Sequence, residues 1–204
     1  CPSTFLKEVM DLFSLTALEI CEGQQMDMEF EQRNDVTAEE YLEMIRLKTA
    51  VLLAASLKIG ARLGGASVED ADRLYDFGMH IGVAFQLKDD LLDVYGNAKV
   101  FGKNIGGDIL CNKKTYMLIK ALEHANADQH NQLNSWINAE TFQPAEKIAA
   151  VTELYDRIGV KAVCENKILE YSNRAMESLA AVSIAEEKKE ELKKIIENLI
   201  HREV

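Results

Sequence analysis

The sequence predicts an all-α protein built from long helices. Apolar residues recur with helical spacing over most of the 204 residues, and the pattern breaks where Gly, Asn and Pro cluster. Only 2 prolines and 11 glycines occur, so long helices are possible. No run of alternating β-branched residues lies between hairpin turns. Because 48% of the residues are hydrophobic, a chain of this length can bury the core of one domain, which we expect to comprise residues 1–204.

The first three predicted helices have clear sequence signals. Thr37 forms a capping box with Glu40 and starts the second helix, which ends at Gly64. Ser67 caps the third helix, which has acidic residues in its first turn, where they suit the helix dipole, and ends at Gly96. The first helix shows a single apolar stripe with helical spacing. This stripe consists of Leu6, Val9, Met10, Phe13, Ala17 and Ile20.

The second half of the chain begins with a predicted loop. From residue 98 to residue 114 the helical periodicity lapses, and Gly and Lys become frequent. Helices then resume, one of them with Pro144 in its first turn, where proline is favoured. The mixed charges of 186–194 are typical of a solvated helix with i,i+4 pairs. The predicted helices are 5–30, 38–63, 68–95, 115–125, 127–138, 144–158, 160–182 and 185–202.

Composition excludes several classes of partner. The formal net charge of −11 argues against nucleic acid and against attachment to anionic lipid, because both need a basic counter-surface. The longest largely apolar run, 50–57, is far shorter than the roughly 20 residues that span a bilayer. The cysteines show no metal-ligand spacing, so we expect reduced thiols in a cytoplasmic protein. These cysteines are Cys1, Cys21, Cys111 and Cys164.

An acidic cluster lies in the segment 85–93, FQLKDDLLD, near the end of the third predicted helix. Asp89 and Asp93 are four residues apart and Asp90 lies three before Asp93, so their carboxylates converge, with Gln86 on the same side. Carboxylates this close repel one another, and a divalent cation with oxygen ligands removes the conflict. A solvated acidic face is the alternative, but the apolar neighbours indicate a largely buried helix. The pattern therefore predicts a site for magnesium and diphosphate.

Four further short segments accompany the acidic cluster: GQQMD at 23–27, RLKT at 46–49, GKNIGGD at 102–108 and NKKT at 112–115. Together they resemble the trans-isoprenyl diphosphate synthases, also called polyprenyl synthetases. In that family a GQxxD element, a KT pair, an FQxxDDxxD motif and a GKxxGxD loop follow one another in this order. The resemblance implies an isoprenoid-synthase type of fold, a bundle of long, mostly antiparallel helices around a central cleft.

The resemblance also implies functions for the polar residues near the cluster. Asp89 and Asp93 would bind Mg²⁺ that bridges the diphosphate of an allylic substrate, and Asp90 would bind the ion or support its ligands. Magnesium would make departure of the diphosphate feasible by neutralising the charge that develops on oxygen. Gln24 and Asp27 would face the cleft, with Asp27 supporting a lysine or a metal-bound water.

Basic and neutral residues complete the implied site. Lys48 and Lys103 would contact the diphosphate oxygens as point charges, and Lys113 matches the lysine that follows the loop in the family. The Lys48 carbonyl, the Thr49 hydroxyl and the Gln86 amide would face the allylic carbocation as weakly nucleophilic dipoles. Each of these residues also has a purely structural interpretation, such as a surface lysine or a polar helix end.

The function implied is that of a Mg²⁺-dependent prenyltransferase. Such an enzyme condenses an allylic diphosphate with isopentenyl diphosphate, extends a trans-polyprenyl diphosphate and releases pyrophosphate; the resemblance also implies a homodimer.

Two alternatives remain. A terpene cyclase is disfavoured, because Asp93 and Asn97 occupy the Ser/Thr and Glu places of the motif typical of that class. A non-catalytic helical subunit of a heteromeric prenyl synthase would lack one of the aspartate-rich motifs. The first aspartate-rich motif of the family has no counterpart before Gly23, but the second motif and the KT pair are intact, which favours truncation over a non-catalytic role. We therefore expect the chain to be a carboxy-terminal portion of a longer protein, with amino-terminal helices missing.

Overall fold

The computed structural model describes residues 2–96 and 105–200, and within these ranges it contains helices and no strand. The all-α prediction is confirmed. No helix in the described ranges has both the length and the apolar character needed to cross a membrane. In chain order the helices are α1 (Ser3–Phe30), α2 (Ala38–Ile45), α3 (Val51–Leu63), α4 (Val68–Tyr95), α5 (Gly107–Leu110), α6 (Tyr116–His124), α7 (Ala127–Ile137), α8 (Pro144–Ile158), α9 (Val160–Ala180) and α10 (Glu190–Ile200).

Helix α4 is the centre of the bundle and packs against both α3 and α9. Its buried residues point in several directions around the helix, so that it is enclosed over much of its surface. The acidic segment 85–93 therefore lies on a largely buried helix, as its apolar neighbours predicted. The buried residues of α4 include Ala71, Phe77, Ile81, Val83, Ala84, Leu87, Leu91, Leu92 and Val94.

The predicted capping residues lie at the helix starts. The Thr37 hydroxyl accepts a hydrogen bond from the Glu40 N–H, and the Glu40 side chain accepts one from the Thr37 N–H, which completes the capping box. The Ser67 hydroxyl likewise accepts the N–H of Asp70 at the start of α4. These bonds satisfy N–H groups that have no partner inside their helices, and they fix where α2 and α4 begin.

The predicted helix 38–63 is not a continuous α-helix. A π-helical turn, Arg46–Ala50, separates α2 from α3, and the Val51 N–H bonds to the Arg46 carbonyl five residues earlier. Lys48 and Thr49 lie on this turn. A π turn inserts one extra residue into a helix, so it changes the direction in which the following side chains point. Hydrophobic spacing over one turn cannot reveal such an insertion.

Three glycines allow close approach of helices around the π turn. A methyl group added to Gly23 of α1 would lie 2.5 Å from the backbone nitrogen of Lys48. On α4, a methyl group added to Gly82 would lie 2.6 Å from the α-carbon of Ala50, and one added to Gly78 would lie 2.6 Å from the α-carbon of Ala54. These distances are below ordinary van der Waals contact, so α1 and α4 come this close to the π turn, and α4 to α3, only because glycine has no side chain.

The apolar stripe predicted for α1 is largely exposed. Leu6 is 51% exposed, Met10 49% and Phe13 59%. Helix α1 packs on the π turn, α2 and α3 through other positions, with Thr16, Gly23 and Phe30 buried. The stripe lies on a helix, as predicted, but it does not join the core of the described residues.

Two later segments differ in kind from their predictions, whereas the helices predicted at 115–125, 127–138 and 160–182 differ by only one or two residues at their ends. The segment 98–114, predicted as a loop, contains the short helix α5 within its described part. A four-residue helix is too short to show a periodic pattern. The predicted helix 185–202 is divided into a 3₁₀ turn, Glu186–Lys188, followed by α10.

Candidate active site

The last two turns of α4 bring the acidic cluster to the end of the bundle that also contains the π turn and α5. Asp89 and Asp93 are half-buried, as is Gln86. Asp90 is different, because only 3% of its surface is exposed. The three carboxylates therefore lie in two environments, one in the interior and one at a partly open surface.

A chain of hydrogen bonds holds Asp90 between three helical segments. The Tyr41 hydroxyl of α2 donates to Asp90 Oδ2. The Gln86 amide donates through Nε2 to Asp90 Oδ1 at 3.2 Å, and the Thr49 hydroxyl donates to Gln86 Oε1 at 3.3 Å. Both ends of the Gln86 amide are therefore engaged, which fixes its orientation.

Burial raises the pKa of Asp90 to about 7, despite opposing hydrogen bonds from Tyr41 and Gln86 and the nearby Lys113 charge. A carboxylate in this position is costly to keep charged unless cations lie close by. Tyr41 is itself fully buried, and burial together with the adjacent Asp90 raises its pKa well above the ordinary value. Tyr41 is therefore a neutral hydrogen-bond donor at Asp90.

Asp93 binds the backbone at the start of α5. Its side chain accepts the Asp108 N–H at 2.9 Å, and its carbonyl accepts the Gly106 N–H at 2.6 Å. Gly106 has a positive φ of 84°, a conformation that glycine adopts without strain. Asp93 thus connects the end of α4 to the segment that follows the predicted GKxxGxD loop.

Asp108 and Lys113 form a second charged pair beside Asp93. Lys113 Nζ lies 3.6 Å from Asp108 Oδ1. Burial raises the pKa of Asp108, and the charge of Asp93 adds to this. Burial lowers the pKa of Lys113, but the carboxylates of Asp108, Asp90 and Asp27 outweigh it, and the pKa is raised overall. Lys113 is therefore a cation that several acidic side chains surround.

Lys48 and Asp27 form an ion pair between the π turn and α1, with 2.6 Å between Nζ and Oδ2. This is one of the two arrangements that the sequence suggested for Asp27. Gln24 lies one turn earlier on α1 and is exposed. Lys103, expected to contact diphosphate, lies outside the described residues. Hydrogen bonds and ion pairs thus join the predicted residues in three groups, which are Thr49 with Gln86 and Asp90, Asp93 with Lys113 through Asp108, and Lys48 with Asp27. Asp89 lies on α4 one turn before Asp93.

Sequence reasoning missed two residues of the site, Tyr41 and Asp108. Tyr41 stands in an ordinary apolar position of α2, and nothing in its neighbourhood indicates a partner 49 residues away. Asp108 belongs to the quoted segment GKNIGGD, so its acidic side chain was a signal that could have been followed. Both residues contact the predicted aspartates rather than extend the motif along α4.

The residues present fit a magnesium ion that is bound together with a ligand. Within residues 2–96 and 105–200 no group of three or more His, Cys, Asp or Glu side chains forms a complete metal site. Mg²⁺ does not require one, since it usually binds one or two carboxylates, several waters and the phosphates of a substrate. Asp89 and Asp93 offer two half-buried carboxylates with i,i+4 spacing, which is the donor set expected for such a site.

A comparison with protein families shows which family the chain belongs to. The model of the polyprenyl synthetase family matches residues 3–155. The chain belongs to the polyprenyl synthetase family. The match begins in α1 and ends in α8, so it includes the GQxxD element, the KT pair, the acidic cluster and Lys113. The resemblance inferred from the short motifs is confirmed.

Named relatives agree with this assignment. The chain is 37% identical over 201 residues to a short chain isoprenyl diphosphate synthase of Methanothermobacter thermautotrophicus, covering 98% of this chain and 61% of the relative. It is 52% identical over 114 residues to a geranylgeranyl diphosphate synthase of Methanosarcina mazei, covering 56% and 35% of the two chains. The chain therefore spans less than two thirds of the length of these relatives.

Solved structures of the family have the same fold. A geranylgeranyl pyrophosphate synthase superimposes with a TM-score of 0.93 at 37% identity, covering 100% of this chain and 63% of that one. A geranylgeranyl pyrophosphate synthase of Corynebacterium glutamicum, solved with isoprenyl diphosphate and magnesium, gives a TM-score of 0.89 at 29% identity. The coverage there is 98% of this chain and 57% of the other.

Proposed function

We propose that the protein containing this chain is a Mg²⁺-dependent prenyltransferase, which condenses an allylic diphosphate with isopentenyl diphosphate and releases pyrophosphate. The observation that supports this most strongly is the arrangement at the end of α4. Asp89 and Asp93 are half-buried on the last two turns of α4, and Asp93 accepts the N–H of Asp108, whose carboxylate lies 3.6 Å from the partly exposed cation Lys113. Such a site can receive a ligand that is both anionic and bound to metal.

The carboxylates would hold the metal. Asp89 and Asp93 are the proposed ligands, and the bound Mg²⁺ would neutralise charge on the leaving diphosphate. Asp90 is the third predicted ligand, and its contacts with Tyr41 and Gln86 favour the supporting one of its two expected roles. A buried Asp90 would fix the end of α4 and hold Gln86 in place.

The lysines would bind the diphosphate oxygens. Lys48 is paired with Asp27 and Lys113 with Asp108, so each ammonium group is held near the cleft before a ligand arrives. Lys103 is proposed for the same role from its place in the sequence motif. Gln24 and Asp27 would then line the rim of this region, with Asp27 keeping Lys48 in position.

Thr49 and Gln86 would face the allylic carbocation that forms when diphosphate leaves. A hydroxyl and an amide stabilise positive charge through their dipoles without acting as strong nucleophiles. The hydrogen bond between them, and the bond from Gln86 to Asp90, would restrict both side chains to one orientation. The Lys48 carbonyl, on the same π turn, is proposed as the third dipole.

The exposed face of α1 supports a homodimer. Leu6, Met10 and Phe13 form part of an apolar stripe that the described core leaves uncovered. Large exposed apolar patches commonly mark protein interfaces. A cytoplasmic location is also proposed, because the described cysteines, Cys21 and Cys111 among them, are free thiols.

The function is tested by incubating the intact gene product with an allylic diphosphate and labelled isopentenyl diphosphate, with and without Mg²⁺. We expect a labelled, longer prenyl diphosphate only when Mg²⁺ is present. The Asp89→Ala variant should lose this activity while keeping its helicity by circular dichroism. The exposed Asp76 of α4 provides a control, because Asp76→Asn should retain turnover.

Each alternative function predicts a different result. A terpene cyclase would consume the allylic diphosphate without incorporating label. A non-catalytic subunit would give no product in either condition. Either outcome would overturn the proposal, as would unchanged turnover in Asp89→Ala.

A further inference from the structure

Lys147 of α8 is a buried cation next to the proposed site. Only 1% of its surface is exposed. Its ammonium group donates to Asn112 Oδ1 at 2.7 Å and to the Leu110 carbonyl at 3.4 Å, and it lies 4.3 Å from the centre of the Phe142 ring. No carboxylate of the described residues lies within ion-pair distance. Burial lowers the pKa of Lys147 below its ordinary value.

A buried charge without an opposite charge is costly, so its contacts indicate what it stabilises. Lys189 provides a comparison inside the same chain, since it is 2% exposed. Its ammonium group donates to the Ala180 carbonyl at the end of α9 and pairs with Glu186, both at 2.9 Å. Lys189 thus has an acidic partner, whereas Lys147 is held by an amide, a carbonyl and an aromatic ring.

The partners of Lys147 form the turn that leads to Lys113. Leu110 is the last residue of α5, and Asn112 has a left-handed φ of 52°, which Asn adopts more readily than most residues. The other end of the Asn112 amide donates to the Ile137 carbonyl at 3.0 Å. The Asn112 amide therefore anchors the turn twice, through Nδ2 to the end of α7 and through Oδ1 to Lys147 of α8.

The direction of this turn determines where Lys113 lies. The Lys113 N–H bonds back to the Asp108 carbonyl at 2.9 Å, and its ammonium group lies 3.6 Å from the Asp108 carboxylate. Asp108 in turn donates its N–H to Asp93. A continuous series of contacts thus runs from Lys147 through Asn112 to the cation and carboxylates of the proposed site.

We propose that Lys147 is a positioning residue, which holds Asn112 in its left-handed conformation so that Lys113 faces the site and binds the diphosphate group of a substrate. The inference rests on the proposed function for the identity of the ligand. The mechanical link between Lys147 and Lys113 does not depend on the proposed function, because it concerns only residues 108–115 and α8.

The test compares two buried lysines in the intact gene product, Lys147→Met and Lys189→Met. The probe is inorganic pyrophosphate with Mg²⁺, and its Kd is measured by calorimetry. Lys147→Met should raise this Kd about tenfold, as losses of supporting contacts around bound ligands commonly do. Hydrogen exchange in peptides covering 108–115 should become faster. Lys189→Met should leave both measurements unchanged, even if it lowers stability.

A double-mutant cycle tests whether the link passes through Asn112. Asn112→Gly accepts the left-handed φ but has no amide to bond Lys147 or Ile137, so it should also weaken pyrophosphate binding and speed exchange at 108–115. Adding Lys147→Met to Asn112→Gly should then change little further. Additive effects would overturn the proposal, and so would a Lys147→Met protein that binds pyrophosphate and exchanges at 108–115 like the wild type.

The two proposals can fail separately. If the wild-type protein does not bind pyrophosphate with Mg²⁺, the proposed function fails, while exchange at 108–115 still reports on the mechanical link. If Lys147→Met does not fold, Asn112→Gly alone decides the matter: unchanged binding and exchange in that variant would overturn the positioning role.

Discussion

The site has two halves that are built in different ways. In the helix-built half, comprising Tyr41, Thr49, Gln86 and Asp90, side chains on α2, the π turn and α4 bond to one another. The turn-built half consists of Asp93 and the segment 105–113. There the Asp108 N–H bonds to the Asp93 carboxylate, the Gly106 N–H bonds to the Asp93 carbonyl, and the left-handed residue Asn112 precedes Lys113.

The difference shows where rigidity comes from. Helix geometry sets the positions of the first half, because its members are fixed by packing around α4. The second half depends on a short helix and on single hydrogen bonds, so its geometry depends on anchors such as Asp93 and Lys147. We expect substitutions in the first half to act mainly on global stability, and those in the second to act mainly on ligand binding and local motion.

The largest effect is expected at Asp93, which belongs to the turn-built half and is a proposed metal ligand. Asp93→Asn keeps an oxygen that can accept the Asp108 N–H but loses the charge, so turnover should fall by about 10²–10³-fold with little change in stability. Asp93→Ala should lose turnover equally and also unfold more easily, by about 1–2 kcal/mol, because the N–H loses its acceptor. Turnover assays and urea titrations of both variants separate the two roles; equal stability of the two would refute the anchoring role.

A smaller effect, on stability alone, is expected from the helix-built half. Tyr41→Phe removes the hydroxyl that donates to Asp90 and leaves a buried carboxyl oxygen without this bond, so the free energy of unfolding should fall by about 2–3 kcal/mol.

Tyr116→Phe is the matched control for Tyr41→Phe. Tyr116 is also buried, but its hydroxyl makes no hydrogen bond within the part of the chain that is described. Its replacement should change the free energy of unfolding by less than about 1 kcal/mol. Denaturant titration of both proteins provides the comparison, and equal losses would show that the bond to Asp90 contributes little.

The smallest of the three effects is expected where α1 supports the π turn. Gly23→Ala places a methyl group 2.5 Å from the backbone nitrogen of Lys48. Helix α1 must therefore move away, which should lower the free energy of unfolding by about 1–2 kcal/mol. Gly60→Ala is a useful control, because a methyl group there meets no atom within 4 Å. Thermal unfolding should show a lower Tm for Gly23→Ala and none of this loss for Gly60→Ala. Equal Tm values for Gly23→Ala and the wild type would refute the close approach.

The sequence predicted positions along a single helix more completely than contacts between segments. Asp89, Asp90 and Asp93 could be placed on one helix because the spacing of 3.6 residues per turn is regular and α4 has clear ends. The capping residues of α2 and α4 were predicted for the same reason, since a cap acts within three residues of its own position.

Contacts between distant segments were not predictable in this way. Neither the Tyr41 bond to Asp90 nor the buried cation at Lys147 has a local signal, because both depend on how helices pack. The π turn adds one residue without changing the overall apolar pattern, and α5 is too short to have one. The exposed stripe of α1 shows the converse, since a correct helical pattern did not reveal whether its apolar face would be covered.

The central claim is that the end of α4 binds a diphosphate group through Mg²⁺. The most direct test is calorimetric titration of inorganic pyrophosphate into the intact gene product, with and without Mg²⁺, using the wild type, Asp89→Asn and the exposed control Asp76→Asn. We predict that binding requires Mg²⁺, is lost in Asp89→Asn and is retained in Asp76→Asn. Binding of equal strength without Mg²⁺, or in Asp89→Asn, would contradict this account.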